Sequence, residues 1–389
     1  MEIKHKIVIA FGIFINLPIR ILRKFPGVRK KILVVREDFL GDTVTWLPFA
    51  KLLREEYPSN QYEITHISRK EMIPLLKRVN IADKVQSRLP YSSSIQWLFS
   101  RLWFWFTHTC DIMIILFPGV RDQNNKLILT VDDTFQVLSY SKSIVLLFCP
   151  PDLNSPKTSF YSLKILLWKK SIYEAYYDII KFLNIRKEVT TLDWTVGPDD
   201  IPYPWINSDY FVVCPGASRS YRCWEEEKFS ELIDQLVAKY HYNVVLTGNS
   251  SEWEKSDRIR NHCRYKEKIM NTAGELSLIQ LFSLVAKARF VVSNETGTAH
   301  IGGALGIMTF TICGGGDYGC FIPYPKEIEG KTFFSISQKN HSCFYCRWEI
   351  PCTNDKENTC PCIKNITVAQ VYGPIIENFG EKKTFRPQL

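Results

Sequence analysis

The sequence predicts an α/β protein made of two Rossmann-like, doubly wound domains that face a central cleft. Its 389 residues exceed what one hydrophobic core usually holds. Short apolar runs alternate with helix-like segments in both halves, which is the pattern of parallel sheets covered by helices. Residues 198–209 contain three prolines and three aspartates and are typical of a linker. We therefore expect an arm over residues 1–30, a first domain over 31–197 and a second domain over 210–389.

The first domain is predicted to begin with a strand and a helix that runs over Asp42–Glu56, before Pro58. Its predicted strands are Lys31–Val35, Tyr62–Ile67, Asp111–Leu116 and Ile144–Phe148. A long helix over Ser159–Phe182 is expected to close this domain. Asp42, at the start of the first helix, is expected to face the cleft. A plain helix cap is the alternative role for Asp42.

In the second domain the alternation of strands and helices begins again. Its predicted strands are Tyr210–Val213, Asn243–Leu246, Phe290–Val292 and Met308–Ile312. Helices are predicted over Glu225–Lys239 and Ser277–Lys287, where apolar residues recur at helical spacing, and a small-residue helix over Ile301–Gly306. This order predicts a second parallel sheet.

Several turns of the second domain are expected to meet at the carboxyl edge of its sheet, where open α/β folds bind ligands. The turns are Pro215–Ser218 with Arg222, Thr247–Gly248, and Asn294–His300 with Gly314–Asp317. A helix N-terminus offers N–H groups and a partial positive charge, so Thr296–Thr298 together with Arg222 predict a diphosphate site. The alternative is an ordinary strand–turn–helix unit. No D-x-D triplet is present, so we expect no metal held on the diphosphate by carboxylates.

Most of the net positive charge lies near the N-terminus. Residues 1–36 contain nine basic residues and one acid, and the whole chain has a net charge of +9. These residues flank the apolar run Ile7–Leu22 and do not follow a folded surface, which argues against nucleic-acid binding. Pro18 and Arg20 interrupt the run, which is short for a membrane span. We expect an interfacial helix resting on anionic lipid. A helix packed on the protein's own surface is the alternative.

Five of the twelve cysteines form a cluster with the spacing C-x2-C-x5-C-x7-C-x-C. They are Cys343, Cys346, Cys352, Cys360 and Cys362. This tail over residues 343–362 is compatible with a structural zinc site in a reducing compartment. Thiols without a metal are the alternative, and disulfides would require an oxidising compartment.

Three segments carry a family resemblance. In chain order they are ILVVREDFLGDTVTWLPFAKLLREEYP, CPGASRSYRCWEEEKFSELI and NTAGELSLIQLFSLVAKARFVVSNETGTAHIGGALG. Together they resemble glycosyltransferase family 9, the heptosyltransferase family, over residues 31 to 372. The resemblance implies a GT-B fold and inverting transfer of a sugar, often heptose from ADP-heptose, to lipopolysaccharide core or a related glycan.

The resemblance also implies roles for particular residues. Asp42 matches the family's catalytic base, and Arg222 matches a basic residue near the diphosphate. The motif D-T/S-G-x-x-H is matched with Glu295 in place of its Asp, and Gly314–Asp317 replaces the usual G-P-T-D. The expected donor-binding residues are Ser218, Arg222, Thr247, Gly248, Glu295, Thr296, Gly297, Thr298, His300 and Asp317.

On this interpretation the first domain binds a lipid-linked glycan acceptor, and the second binds a nucleotide-sugar donor, with ADP favoured. We expect no cofactor for catalysis, at most a structural zinc, no nucleic-acid partner, and a cytoplasmic enzyme peripheral to the inner membrane. Two other functions stay open. One is a catalytically silent membrane-bound scaffold for glycan assembly, and the other is a GT-B epimerase or hydrolase of nucleotide sugars.

Overall fold

The computed structural model describes the chain in several stretches and in two compact units. Side chains are described for residues 27–87, 107–116, 171–187, 189, 208–325, 332–346 and 359–380, and for Phe14, Pro18 and Ile21. Residues 119–121, 127–129, 139–147 and 163–167 are described as strands by their backbone. One unit comprises residues 1–39 and 49–187, and the other comprises residues 40–48 and 188–389.

The first unit is built on a parallel sheet. Its described strands are β1 (Lys30–Arg36), β2 (Tyr62–Ile67), β3 (Lys84–Gln86), β4 (Cys110–Leu116), β5 (Gly119–Arg121), β6 (Leu127–Leu129), β7 (Ser139–Leu147) and β8 (Leu163–Leu167). The order in the main sheet is β3-β2-β1-β4-β7-β8, and β5 and β6 pair as a separate antiparallel ribbon. Near-continuous burial of β1 and β4 fits strands that are covered on both faces.

Helices α1 (Leu40–Glu56), α2 (Ile73–Arg78) and α3 (Ile172–Phe182) accompany this sheet. The predicted helix over Ser159–Phe182 is wrong in its first half, because Leu163–Leu167 forms β8 and pairs in parallel with β7. Four of the five residues in LKILL are apolar, and so short a run fits a strand as well as a helix, because its periodicity does not distinguish them. Helix α3 begins only after Ser171, whose Oγ accepts a 3.2 Å hydrogen bond from Glu174 N.

The second unit contains another parallel sheet and most of the described helices. Its strands are β9 (Tyr210–Cys214), β10 (Asn243–Leu246), β11 (Ile269–Asn271), β12 (Val291–Asn294), β13 (Thr309–Ile312) and β14 (Phe333–Ile336). Its helices are α4 (Glu226–Tyr240), α5 (Trp253–His262), α6 (Leu278–Lys287), α7 (Gly297–Ala304), α8 (Pro361–Lys364) and α9 (Val368–Gly380). The strand order is β11-β10-β9-β12-β13-β14. The chain adds β10 and β11 on one side of β9 and then β12 to β14 on its other side, as in a Rossmann fold.

The N-terminal arm and the linker fall mostly outside the described residues. Within the predicted membrane-resting run, Phe14, Pro18 and Ile21 are helical and exposed. In the linker, only Ser208 and Asp209 are described. Among the helices that the structure describes, none has both the length and the hydrophobicity needed to cross a bilayer.

Candidate donor site

The predicted turns meet at the carboxyl edge of the second sheet. Strands β9 and β12 pair in parallel with Ser293 opposite Cys214, and β12 pairs with β13 with Asn294 opposite Ile312. The turns that follow these three strands therefore begin side by side. This edge is also where the strand order reverses, the position at which open α/β sheets bind ligands.

Arg222 is the centre of a charged cluster at this edge. Its Nη1 donates to Ser218 Oγ at 2.9 Å, and its Nη2 donates to Asp317 Oδ2 at 2.9 Å and to Glu295 Oε2. Burial opposes the charge of Arg222, but the Asp317 and Glu295 carboxylates outweigh it and raise the guanidinium pKa. Two carboxylates therefore hold one guanidinium, and these three groups together carry a net charge of −1.

Glu295 is bound through both of its carboxylate oxygens. Its Oε2 accepts from Arg222, and its Oε1 lies 2.8 Å from His300 Nε2. Burial alone would raise the pKa of Glu295, but Arg222 and the hydrogen bond from His300 lower it. Glu295 is therefore ionised at neutral pH, although its side chain is only 8% exposed.

Buried side chains that the sequence did not single out hold the neighbouring turns. Asn294 Nδ2 donates to Pro215 O at 2.8 Å and to Gly216 O at 3.2 Å, and Asn294 Oδ1 accepts from Trp224 N at 3.1 Å. One amide at the end of β12 thus joins the turn after β9 to the segment before α4. A polar residue at the end of an otherwise apolar strand was the only signal for it.

Glu252 joins two more of the predicted turns and was also missed. A Cβ on Gly216 would lie 1.9 Å from Glu252 Oε1, and one on Gly248 would lie 2.7 Å from Oε2. The carboxylate therefore approaches both backbones, and a side chain at either glycine would have to displace it. Burial raises the pKa of Glu252, and the carboxylate accepts from Asn249 N at 2.8 Å.

Helix α7 begins at Gly297, four residues before the predicted start. Thr296 does not cap it: the Thr296 hydroxyl lies 3.0 Å from Ser293 Oγ and donates to Cys214 Sγ at 3.7 Å. Thr298 is buried in the first turn. The threonines therefore tie the helix start to β9 and β12, and backbone N–H groups remain the feature of α7 suited to an anion.

The first turn of α1 lies against the first turn of α7, and both turns belong to the second compact unit. A Cβ on Gly297 would lie 2.7 Å from Leu40 Cγ, and a Cβ on Gly41 would lie 2.9 Å from His300 Cδ2. Asp42 follows Gly41 directly and is half-buried, and its carbonyl accepts from Thr45 Oγ1 at 2.9 Å. This contact brings the backbone that carries Asp42 to the donor-site helix.

The cysteine tail contacts Gly315, in the turn after β13, through two of its residues, and Tyr345 N donates to Gly315 O at 3.0 Å. Cys362 is buried and its Sγ accepts from Gly315 N at 3.4 Å, while Cys343 and Cys346 are half-buried. Throughout the described stretches, no three His, Cys, Asp or Glu side chains form a group that could hold a metal ion. The predicted zinc site therefore gains no support from Cys343, Cys346, Cys360 and Cys362, and Cys352 lies outside the described residues.

Comparison with known proteins relates this arrangement to sugar-transfer enzymes. Residues 186–344 match the family described as glycosyltransferase family 9 (heptosyltransferase). Lipopolysaccharide heptosyltransferase 3 of Escherichia coli (strain K12) is 21% identical over 308 residues, which cover 74% of this chain and 83% of that protein. Both matches are to heptosyltransferases.

Solved structures show the same fold. A family 9 glycosyltransferase from Veillonella parvula superposes with a TM-score of 0.64 at 15% identity, covering 90% of this chain and 98% of its own. The E. coli heptosyltransferase WaaC with ADP-2-deoxy-2-fluoro heptose gives a TM-score of 0.61 at 18% identity. The superposition covers 90% of this chain and 99% of the WaaC chain. The two parallel α/β sheets of this chain are thus those of a GT-B fold.

Proposed function

From the premise that this chain carries a glycosyltransferase family 9 domain and is a glycosyltransferase, we propose that it transfers heptose or a related sugar from an ADP-sugar to a lipopolysaccharide-type acceptor. The observation that carries the proposal is the charged cluster of Ser218, Arg222, Glu295, His300 and Asp317 at the carboxyl edge of the second sheet. Such an edge, next to the start of a helix, is suited to a nucleotide diphosphate.

The carboxylates and the hydrogen-bond donors at this edge would bind different parts of the donor. Carboxylates accept hydrogen bonds from sugar hydroxyls, so Glu295 and Asp317 suit the donor sugar. Arg222 and the N–H groups that begin α7 suit the diphosphate. Thr247, Gly248 and Glu252 would shape the adjoining wall of the donor site. Leaving-group charge would then be stabilised by a guanidinium and a helix N-terminus.

The reaction we propose is a single displacement with inversion. The acceptor hydroxyl oxygen attacks C1 of the donor sugar, and the Asp42 carboxylate takes the hydroxyl proton as the new bond forms. The bond between C1 and the β-phosphate oxygen breaks, and ADP leaves with its electron pair. A general base is needed because a sugar hydroxyl ionises far above neutral pH, and the transition state resembles an oxocarbenium ion, as in glycoside hydrolysis.

The contact between the first turns of α1 and α7 supports Asp42 as that base, since Gly41 packs on His300. We expect Asp42→Asn to lower kcat by about two to four orders of magnitude while ADP affinity is kept, because Asn cannot take the proton. The assay is ADP release from ADP-heptose in the presence of a lipopolysaccharide-core acceptor. Asp178→Asn is the matched control, since Asp178 is an exposed carboxylate on α3. Unchanged turnover in Asp42→Asn would contradict the assignment of the base.

A further inference from the structure

Tyr324 is a buried residue of this edge that the expected motifs do not include. It is 3% exposed, and its hydroxyl lies 2.8 Å from His300 Nδ1. Its ring stacks on Phe333, with the ring centroids 4.3 Å apart. A Cβ on Gly303 of α7 would lie 2.9 Å from the Tyr324 ring, so the helix closes over it. The hydroxyl is therefore held in one place by tight packing of the ring.

His300 connects this hydroxyl to Glu295. The imidazole is 2% exposed and has the Tyr324 hydroxyl at Nδ1 and the Glu295 carboxylate at Nε2, each at 2.8 Å. An ionised carboxylate only accepts hydrogen bonds, so Nε2 carries the ring proton. The Tyr324 hydroxyl, which can both donate and accept, is the hydrogen-bond partner of the other nitrogen, Nδ1. The hydroxyl thus holds the ring in the orientation that points Nε2–H at Glu295.

Glu295 transmits this arrangement to the rest of the cluster. Its second oxygen accepts from Arg222 Nη2, which also donates to Asp317 at 2.9 Å. The side chain of Glu295 is one methylene longer than that of Asp. Its two carboxylate oxygens bind two different partners, Arg222 and His300. A shift of the Glu295 carboxylate would therefore move the hydrogen-bond partner of Arg222 as well.

We propose that Tyr324 is a positioning residue of the donor site, which fixes the orientation of the His300 ring and through it the place of the Glu295 carboxylate. The proposal rests on the proposed function. Without the hydroxyl, Nδ1 loses this hydrogen bond and the ring can turn about its side-chain bonds. Nε2–H then moves away from the carboxylate, and Glu295 loses one of its two holds.

Tyr324→Phe tests this role, because it keeps the stacked ring and removes only the hydroxyl. We expect the KM for the nucleotide-sugar donor to rise about two- to tenfold, the range for one lost hydrogen bond, with kcat nearly unchanged. Tyr318→Phe is the matched control. Tyr318 lies in the same loop between β13 and β14, but its hydroxyl forms a hydrogen bond with Lys339.

The imidazole nitrogen shifts of His300, measured by NMR in the full chain, report the hydrogen bonds at both nitrogens and need no activity. We expect the same Nε2 shift in the wild type and in Tyr318→Phe, and a changed shift at Nε2, the nitrogen that faces Glu295, in Tyr324→Phe. A Tyr324→Phe protein with the wild-type Nε2 shift and donor KM would overturn the positioning role. A wild-type protein that transfers no sugar would instead contradict the proposed function, and the NMR result would still decide the link between Tyr324 and His300.

Discussion

Two carboxylates on one arginine change the expected role of Arg222. The sequence indicated a guanidinium available to a diphosphate, whereas Asp317 lies 2.9 Å from Arg222 Nη2 and Glu295 accepts from the same nitrogen. Arg222 keeps 18% of its side chain exposed, against 8% for Glu295 and 5% for Asp317, so a diphosphate can reach the guanidinium but finds its charge already balanced by two carboxylates. Asp317 and the diphosphate would therefore compete for Arg222.

This competition leads to a prediction for Asp317→Asn. The substitution keeps the shape of the side chain and removes one negative charge beside Arg222, so ADP affinity should rise on the order of tenfold. Titration calorimetry with ADP measures the change. Asp257→Asn on α5 is the matched control, because it also removes a carboxylate from an arginine, Arg260, at 2.6 Å. Equal or weaker ADP binding in Asp317→Asn would exclude this competition.

His66 gives the fold a sensitivity to acid. It lies 1% exposed at the end of β2, where burial and the nearby Arg36 lower its pKa from 6.5 to about 3. The unfolded chain therefore binds one more proton than the folded chain between these two values. Stability should fall as the pH drops below 6.5, by at most about 1.4 kcal/mol per pH unit.

The matching measurement is urea unfolding of the wild type and of His66→Gln at pH 7.5, 6 and 5. Gln does not titrate, so the free energy of unfolding of the variant should fall less over this range, whatever its value at pH 7.5. Parallel pH dependence in the two proteins would show that His66 is not the group responsible.

The residues that the sequence did not reveal act on other parts of the chain. Asn294, Glu252 and Tyr324 contact turns or side chains from other elements. The partner of Tyr324 lies 24 positions away in the sequence, and a partner of Asn294 lies 79 positions away. Glu252 and Tyr324 lie outside the segments that carry the resemblance, and the only signal for Asn294 was a polar residue at the end of an apolar strand. Arg222, Glu295 and His300 could be found because they lie within motifs that carry a resemblance.

At the scale of elements, the approach of α1 to α7 is the contact with the clearest steric requirement. Both helices place a glycine in the contact, Gly41 and Gly297, and neither has room for a Cβ. The two helix starts can lie this close only because these side chains are absent. The position of Asp42 beside the donor site depends on the same contact.

We therefore expect Gly297→Ala to reduce kcat/KM at least about tenfold, because a new Cβ 2.7 Å from Leu40 Cγ must push the helices apart. Gly373→Ala is the control: Gly373 lies within α9 and has nothing within 4 Å of a new Cβ. That control should keep activity and gain up to about 1 kcal/mol of stability from helix propensity. Equal activity of the two variants would show that the contact is not needed.

Strand prediction from the sequence was most accurate where a buried strand is bounded by turns. Tyr62–Ile67 and Asn243–Leu246 were placed at the bounds that the structure gives. The helix over Ser159–Phe182 was wrong at Leu163–Leu167, which forms the edge strand of the first sheet. The start of α7 was missed because Gly297 and Thr298 are weak helix formers, and here packing decides.

At the scale of the whole molecule, part of the basic N-terminal charge is used within the fold. Arg36 is fully buried, with its Nε 3.8 Å from Asp38 Oδ2, and Arg29 and Lys31 lie 3.4 and 3.6 Å from Glu63. Lys4, Lys6, Arg20, Arg23 and Lys24, in the proposed membrane-resting arm, lie outside the described residues. We propose that these five meet anionic lipid at the cytoplasmic face of the inner membrane.

The full chain should then co-sediment with vesicles containing phosphatidylglycerol and much less with phosphatidylcholine alone. Binding should weaken as salt rises, because screening shortens the reach of the charges. Replacing the five basic residues with Gln should abolish the preference for anionic lipid. Binding that is equal on both vesicle types would contradict the membrane-resting arm.

The central claim is that the carboxyl edge of the second sheet, around Arg222 and the start of α7, binds the nucleotide diphosphate of the donor. Titration calorimetry of the full chain with ADP, UDP, GDP and CMP, with and without Mg²⁺, tests it most directly. We expect ADP to bind with little dependence on Mg²⁺, and Arg222→Ala to weaken the binding at least about tenfold, since a charged hydrogen-bond donor is lost. Absence of binding by any of the four nucleotides, or ADP binding unchanged in Arg222→Ala, would contradict it.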